Sequence, residues 1–92
     1  MNSKKRDRLG VIFDILKIVS DHHNSIKRTP LLRYSNLYST GFNEYYSDLS
    51  SKGFVKEIED SRGRKYITLT DRGFKYLEKY KLILGFIDEF EL

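Results

Sequence analysis

Leu49-Ser50-Ser51-Lys52-Gly53-Phe54-Val55, followed by Arg64-Lys65-Tyr66-Ile67-Thr68-Leu69-Thr70-Asp71-Arg72-Gly73, are the stretches on which the fold turns. In the first, Gly53 stands just after residues with helical spacing (Phe42, Tyr45 or Tyr46, Leu49), where a left-handed terminator ends a helix. Between the two lies Asp60-Ser61-Arg62-Gly63, a turn-forming cluster whose glycine can take positive φ. Residues 54–59 and 64–69 are therefore expected to pair as a hairpin. In its second strand Ile67 and Leu69 share one face and Tyr66 and Thr68 the other, as a half-buried ribbon requires. Thr70-Asp71 then opens a last helix, with Thr as cap and Asp favoured by the positive helix end, running to about Phe90.

Upstream, eight of the eleven residues from Leu9 to Val19 are apolar, and the exceptions Gly10, Asp14 and Lys17 recur at spacings of four and three. That is a helix with one narrow wet stripe, which needs cover on two sides. Asp21-His22-His23-Asn24 ends it. Thr29-Pro30 predicts a short second helix to about Asn36, with Thr29 capping and Pro30 at the first helical position, anchored by Leu31 and Leu32. Ser39-Thr40 is a second capping cluster, opening the helix that Gly53 closes.

At 92 residues the chain makes one domain and excludes a barrel or a two-domain enzyme. With no cysteine it has no disulfide framework, no thiolate nucleophile and no Cys-based zinc site, and a reducing compartment is expected. Asp7, Arg8, Asp14 and Lys17 interrupt the N-terminal region, and no run reaches the roughly 18 apolar residues of a membrane helix. A soluble cytoplasmic protein is expected. The net charge of +4 permits a polyanionic partner, and its distribution is more informative than its size. Residues 1–8, 27–33 and 62–65 each carry +3, whereas the last twelve carry −2.

The order helix, short helix, turn, helix, hairpin, helix, together with Leu49 to Val55 and Arg64 to Gly73, resembles the winged helix-turn-helix regulators. Residues 74–90 further resemble the small archaeal members that dimerise through a C-terminal helix. The likeness runs from about Arg8 to Leu92. It implies an α+β, mostly α fold: three helices and a two-stranded wing in residues 1–70, with a basic N-terminal arm, and a C-terminal dimerisation helix in 71–92. It also implies double-stranded DNA as partner, a transcription-regulating role and nucleoid association. Thr40, Asn43, Glu44 and Ser47 on the third helix would lie near base edges in the major groove. Arg62, Arg64 and Lys65 on the wing, with the basic N-terminal arm, would meet backbone or minor groove, and Thr29, Arg33 and Tyr38 around the second helix and turn would hold phosphate. One departure stands out: residues 39–52 hold Glu44 and Asp48 against Lys52 alone, so phosphate attraction must come from elsewhere. Glu44 could accept from cytosine N4, or be a solvated residue that lowers non-specific affinity.

In the last helix Tyr76, Tyr80, Ile83, Ile87 and Phe90 recur at four, three, four and three, a heptad seam suited to a second copy. Phe74, Leu77 and Leu84 form a second stripe suited to the chain's own core, and the surplus apolar face of the first helix is a docking place for the partner's helix. His22 and His23 point about 100° apart, a poor chelate, so no metal site is expected. No phosphate loop, Ser-His-Asp set or carboxylate pair can be drawn, so neither an enzyme, a cofactor nor a small-molecule substrate is expected. The rival reading, sustained by the acidic third helix, is a protein-interaction module that kept the fold and lost strong DNA binding.

Overall fold

The computed structural model describes residues 7–92, so the Lys4, Lys5 and Arg6 portion of the basic arm lies outside the described residues. Four helices and one hairpin follow in order: α1 (Arg8–Asp21), α2 (Arg28–Ser35), α3 (Ser39–Ser51), β1 (Val55–Glu59), β2 (Lys65–Leu69) and α4 (Asp71–Glu89). The mostly helical α+β order expected from the sequence is the order observed.

α1 begins at a cap the sequence reading passed over: the Asp7 side chain accepts from Gly10 N at 2.7 Å. Its buried residues Val11, Ile12, Phe13, Ile15, Leu16 and Val19 form the centre of the core with Leu31, Phe42, Leu49, Ile67 and Leu77. The two-sided cover that α1 requires comes from within the chain, since both α2 and α4 pack on it. Phe13 stacks on Tyr80 with ring centroids 4.7 Å apart, and the Tyr76 hydroxyl donates to Leu9 O at 2.8 Å. The surplus face expected to await a partner's helix is thus largely taken by the chain's own α4.

The expected caps of α2 and α3 are not used. Lys27 and Tyr38 occupy the N-cap positions without side-chain cap bonds, so Thr29 and Thr40 are left exposed in the first turns. Pro30 is the third residue of α2 rather than the first, which costs nothing because first-turn N–H groups have no helical acceptor. α3 ends as expected. Gly53 takes φ 77°, its N–H donates to Ser50 O at 3.1 Å, and Phe54 N donates to Leu49 O at 2.9 Å, the paired bonds of a Schellman ending.

The hairpin is antiparallel, with Val55 opposite Leu69 and Glu59 opposite Lys65. Ile26 adds a single bridge to the free edge of β2, its N–H and C=O both bonded to Ile67. Leu69 N donates to the side-chain oxygen of Asn24, itself in left-handed conformation, at 2.7 Å. With α1 and α4 also packed on β2, Thr68 is buried as well as Ile67 and Leu69, and the expected alternation is lost.

Thr70 knots hairpin to helix. Its Oγ1 accepts from Gly73 N at 3.1 Å and donates to Gly53 O at 2.5 Å, while Thr70 N donates to Phe54 O at 3.1 Å. A Cβ on Gly73 would stand 2.3 Å from Phe54 O, so only glycine allows this approach. α4 belongs to the core through Gly73 and Leu77, with Tyr76 and Tyr80 half-buried. From Lys81 onward every residue is exposed, and the molecule measures 49 × 27 × 22 Å. No helix among the described residues is long and apolar enough to cross a membrane.

Candidate nucleic-acid interface

α3 lays Phe42, Tyr46 and Leu49 into the core and turns Thr40, Asn43, Glu44 and Ser47 outward, the two sets interleaved at helical spacing. The four residues expected to share a face do share it. Tyr38 enters the helix beside them, 90% exposed, a large aromatic with no role in the core.

The negative charge of α3 is smaller than its composition suggests. Lys52 Nζ reaches both oxygens of Asp48, at 2.8 and 3.0 Å, and the Arg8 guanidinium pairs with the same carboxylate. The Lys52 hydrogen bond, with Arg8 in support, holds Asp48 below the usual aspartate range. Arg8 also lies over the Tyr45 ring, fastening the start of α1 to α3. Glu44 makes no ion pair among the described residues and is the exposed anion of this face.

A residue that sequence reasoning passed over organises the face. Arg28, at the start of α2, stacks its guanidinium 4.4 Å from the Tyr46 ring centroid and 5.5 Å from that of Phe42. Its NH2 donates to Asn43 Oδ1 at 2.7 Å. The oxygen of Asn43 is therefore engaged and its amide NH2 is left to be presented. Tyr46 titrates above the ordinary tyrosine value because burial disfavours the phenolate; Glu57 adds to the rise and Arg28 opposes it. Next to Arg28, Lys27 lies over the Tyr66 ring at 5.8 Å, so the start of α2 spans from α3 to the hairpin. The only available cue was the basic cluster 27–33, and a charge cluster does not say which member meets which neighbour.

Thr29 is exposed beside this junction, whereas Arg33 lies at the far end of α2, over the Tyr34 ring. Tyr34 in turn sits 5.0 Å from the His22 ring, whose Nδ1 is bonded to Ile18 O. Among the described residues no group of three or more His, Asp or Glu is placed to hold a metal.

At the wing tip the three cations differ. Asp60 Oδ1 accepts from both Arg62 N and Arg64 N at 2.9 Å, and Oδ2 accepts from Arg64 Nε at 2.7 Å. These bonds, the Arg64 backbone one foremost, hold Asp60 below the usual aspartate range. Arg64 is thus tied down and Lys65 stands opposite Glu59, while the Arg62 side chain makes no ion pair among the described residues. The wing carries Glu57 and Glu59 as exposed neighbours, so its field is weaker than its tip suggests.

On the last helix, Tyr76 and Tyr80 of the expected seam are already in use within the chain. Tyr76 meets Phe54 edge-on at 5.4 Å and Tyr80 stacks on Phe13. Burial, reinforced by neighbouring Tyr80 and Asp7, pushes Tyr76 up to about 12. Ile83, Ile87 and Phe90 are exposed, and so are Phe74 and Leu84, which were expected to face the core; only Leu77 of that stripe does. For Leu84 the reason is reach: Lys81 is the point at which α4 leaves the domain.

The fold that carries this surface is shared with known proteins. The winged helix-turn-helix family model matches residues 5–86. Among solved structures, the chain is similar to Sso10a-2, a DNA-binding protein from Sulfolobus solfataricus, at TM-score 0.74 and 15% identity, over 94% of this chain and 86% of that one. It is similar to F93 from STIV, a winged-helix DNA-binding protein, at TM-score 0.70 and 19% identity, over 87% and 91% of the two chains. It is also similar to the PcaV transcriptional regulator from Streptomyces coelicolor in complex with its natural ligand, at TM-score 0.74 and 17% identity, over 100% of this chain and 64% of that one. No curated protein matches the sequence.

Proposed function

Because the chain belongs to the winged helix-turn-helix family, we propose that it binds double-stranded DNA as a homodimeric transcription regulator, with α3 in the major groove and the wing on the flanking backbone or minor groove. The observation that carries this is the α3 face itself. Thr40, Asn43, Glu44 and Ser47 are all turned outward on a helix whose other side is fully engaged, and Arg28 holds Asn43 in place. Such a face offers an amide donor, hydroxyls and one carboxylate acceptor, the groups that read base edges.

Lys27 and Arg28 bridge α3 to the wing, and Arg62 extends from the tip, so cations flank the reading face on the wing side. Thr29, Arg33 and Tyr38 supply further groups able to hold phosphate. The similar Sso10a-2 and F93 proteins, described as DNA-binding, support the reading at the level of fold. The role is binding rather than catalysis, and its place is where DNA is.

The test is a mobility shift on random-sequence duplex over a salt series. If a dimer neutralises about six phosphates, log K falls with log salt at a slope near −5. Changing Arg62, Arg64 and Lys65 together to Ala flattens the slope in a folded protein, and an unchanged slope removes the wing from the interface. No shift at low salt would instead favour the interaction-module reading, in which Glu44 repels DNA.

A further inference from the structure

The start of α2 and the exposed face of α3 meet in one hydrogen bond, Arg28 NH2 donating to Asn43 Oδ1 at 2.7 Å. The guanidinium that makes it is supported from behind. It lies 4.4 Å from the Tyr46 ring centroid and 5.5 Å from that of Phe42, and both rings belong to the core. α2 itself is anchored by the fully buried Leu31. Arg28 makes no ion pair among the described residues, so no carboxylate there competes with Asn43 for it.

That bond divides the amide. Asparagine reads adenine by using both of its ends at once, the oxygen accepting from N6 while the nitrogen donates to N7. Guanine offers acceptors alone on the same edge, N7 and O6. In this chain the amide oxygen is occupied. It keeps a second lone pair, but the positive guanidinium beside it repels any further N–H donor. The NH2 makes no hydrogen bond among the described residues and is free to give. Glu44, next in the chain and exposed, offers acceptors only, and the donor on the other half of a G·C pair is cytosine N4.

We propose that α3 selects a G·C pair, Asn43 donating to guanine because Arg28 occupies its oxygen, with Glu44 accepting from cytosine. The inference rests on the DNA-binding reading above and adds the base that the site prefers. Arg28 is a positioning residue in this arrangement, acting on the base through Asn43. An arginine that merely met phosphate would raise affinity for every duplex alike, whereas one that sets the amide changes the choice of base.

The full-length chain and three variants are each used to enrich sites from a random-sequence duplex pool at low salt, and the bases at every position of the enriched site are counted. Arg28 and Asn43 are both exposed, so the variants leave the core intact. In the wild type, one position of the half-site should favour guanine over adenine by about fivefold or more. Asn43→Ala should remove the preference at that position. Asn43→Asp, which keeps a partner for Arg28 but has no N–H to give, should lose guanine there as well. Arg28→Met keeps a long side chain over Tyr46 and leaves both ends of the amide free, and should turn the same position toward adenine. Guanine retained in Asn43→Ala would overturn the proposal by showing that another group reads it. Guanine retained undiminished in Arg28→Met would overturn the positioning role. Enriched sites that respond to neither substitution would overturn the inference and leave DNA binding standing, whereas no enrichment by the wild type would overturn both.

Discussion

Asp60 is the residue on which the wing tip depends, because one carboxylate accepts two backbone N–H groups and the Arg64 side chain together. Its pKa is depressed in the fold, so the order it contributes is complete above the unfolded aspartate value of about 3.9 and is lost as pH falls through the lower folded value. The amide resonances of Arg62 and Arg64 should shift together with a midpoint below that value, and Asp60→Asn should abolish the transition and release Arg64. A midpoint above about 4.5 would contradict the bonding described. Glu44 is the opposite case, an exposed anion without an ion pair among the described residues. Glu44→Ala should raise affinity for random duplex about threefold to tenfold at low salt and narrow the preference for any favoured site. If both affinities stay unaltered, α3 does not enter the groove as proposed.

At the scale of elements, the decisive joint is that of the hairpin with α4, where Thr70 and Gly73 meet Gly53 and Phe54. Gly73→Ala forces a methyl group to within 2.3 Å of a backbone oxygen and should destabilise the domain by about 1–3 kcal/mol or more in urea unfolding. Gly85 makes the control. A Cβ there meets nothing within 4 Å, so Gly85→Ala should be neutral or stabilise α4 by up to about 1 kcal/mol. Equal effects of the two substitutions would show that helix propensity rather than the close approach governs both.

For the whole molecule the governing fact is that a 19-residue helix, about 28 Å long, outruns the domain it packs on. Leu82, Ile83, Phe86, Ile87 and Phe90 are all exposed, an apolar extent of the kind that marks an interface. Full burial of a side chain of this kind contributes on the order of 1.5–3 kcal/mol, and these are 40–69% exposed, so an interface would draw on about half of that at each position, set against the cost of association. Ile83→Glu with Ile87→Glu should give a folded monomer by sedimentation, and DNA binding should weaken because two half-sites are no longer gripped at once. A double variant that remains dimeric would place the interface elsewhere.

The sequence by itself determined the order of the elements, because its signals are local. Gly53 ends a helix by its own φ, Gly63 takes φ 78° in the turn, and Thr70 with Asp71 starts α4, each within a few residues of its partner. The outward set Thr40, Asn43, Glu44 and Ser47 was legible for the same reason, since periodicity places residues on a face without reference to the rest of the chain. What lay beyond reach was every pairing between distant residues. Arg28 with Asn43, Arg8 with Asp48, Asn24 with Leu69 and Tyr76 with Leu9 carry no local spacing rule. So too with the seam of α4. A heptad is the same pattern whether its first half meets the chain's own core or a second copy, and only the tertiary structure, by ending the core at Lys81, divides Tyr76 and Tyr80 from Ile83, Ile87 and Phe90.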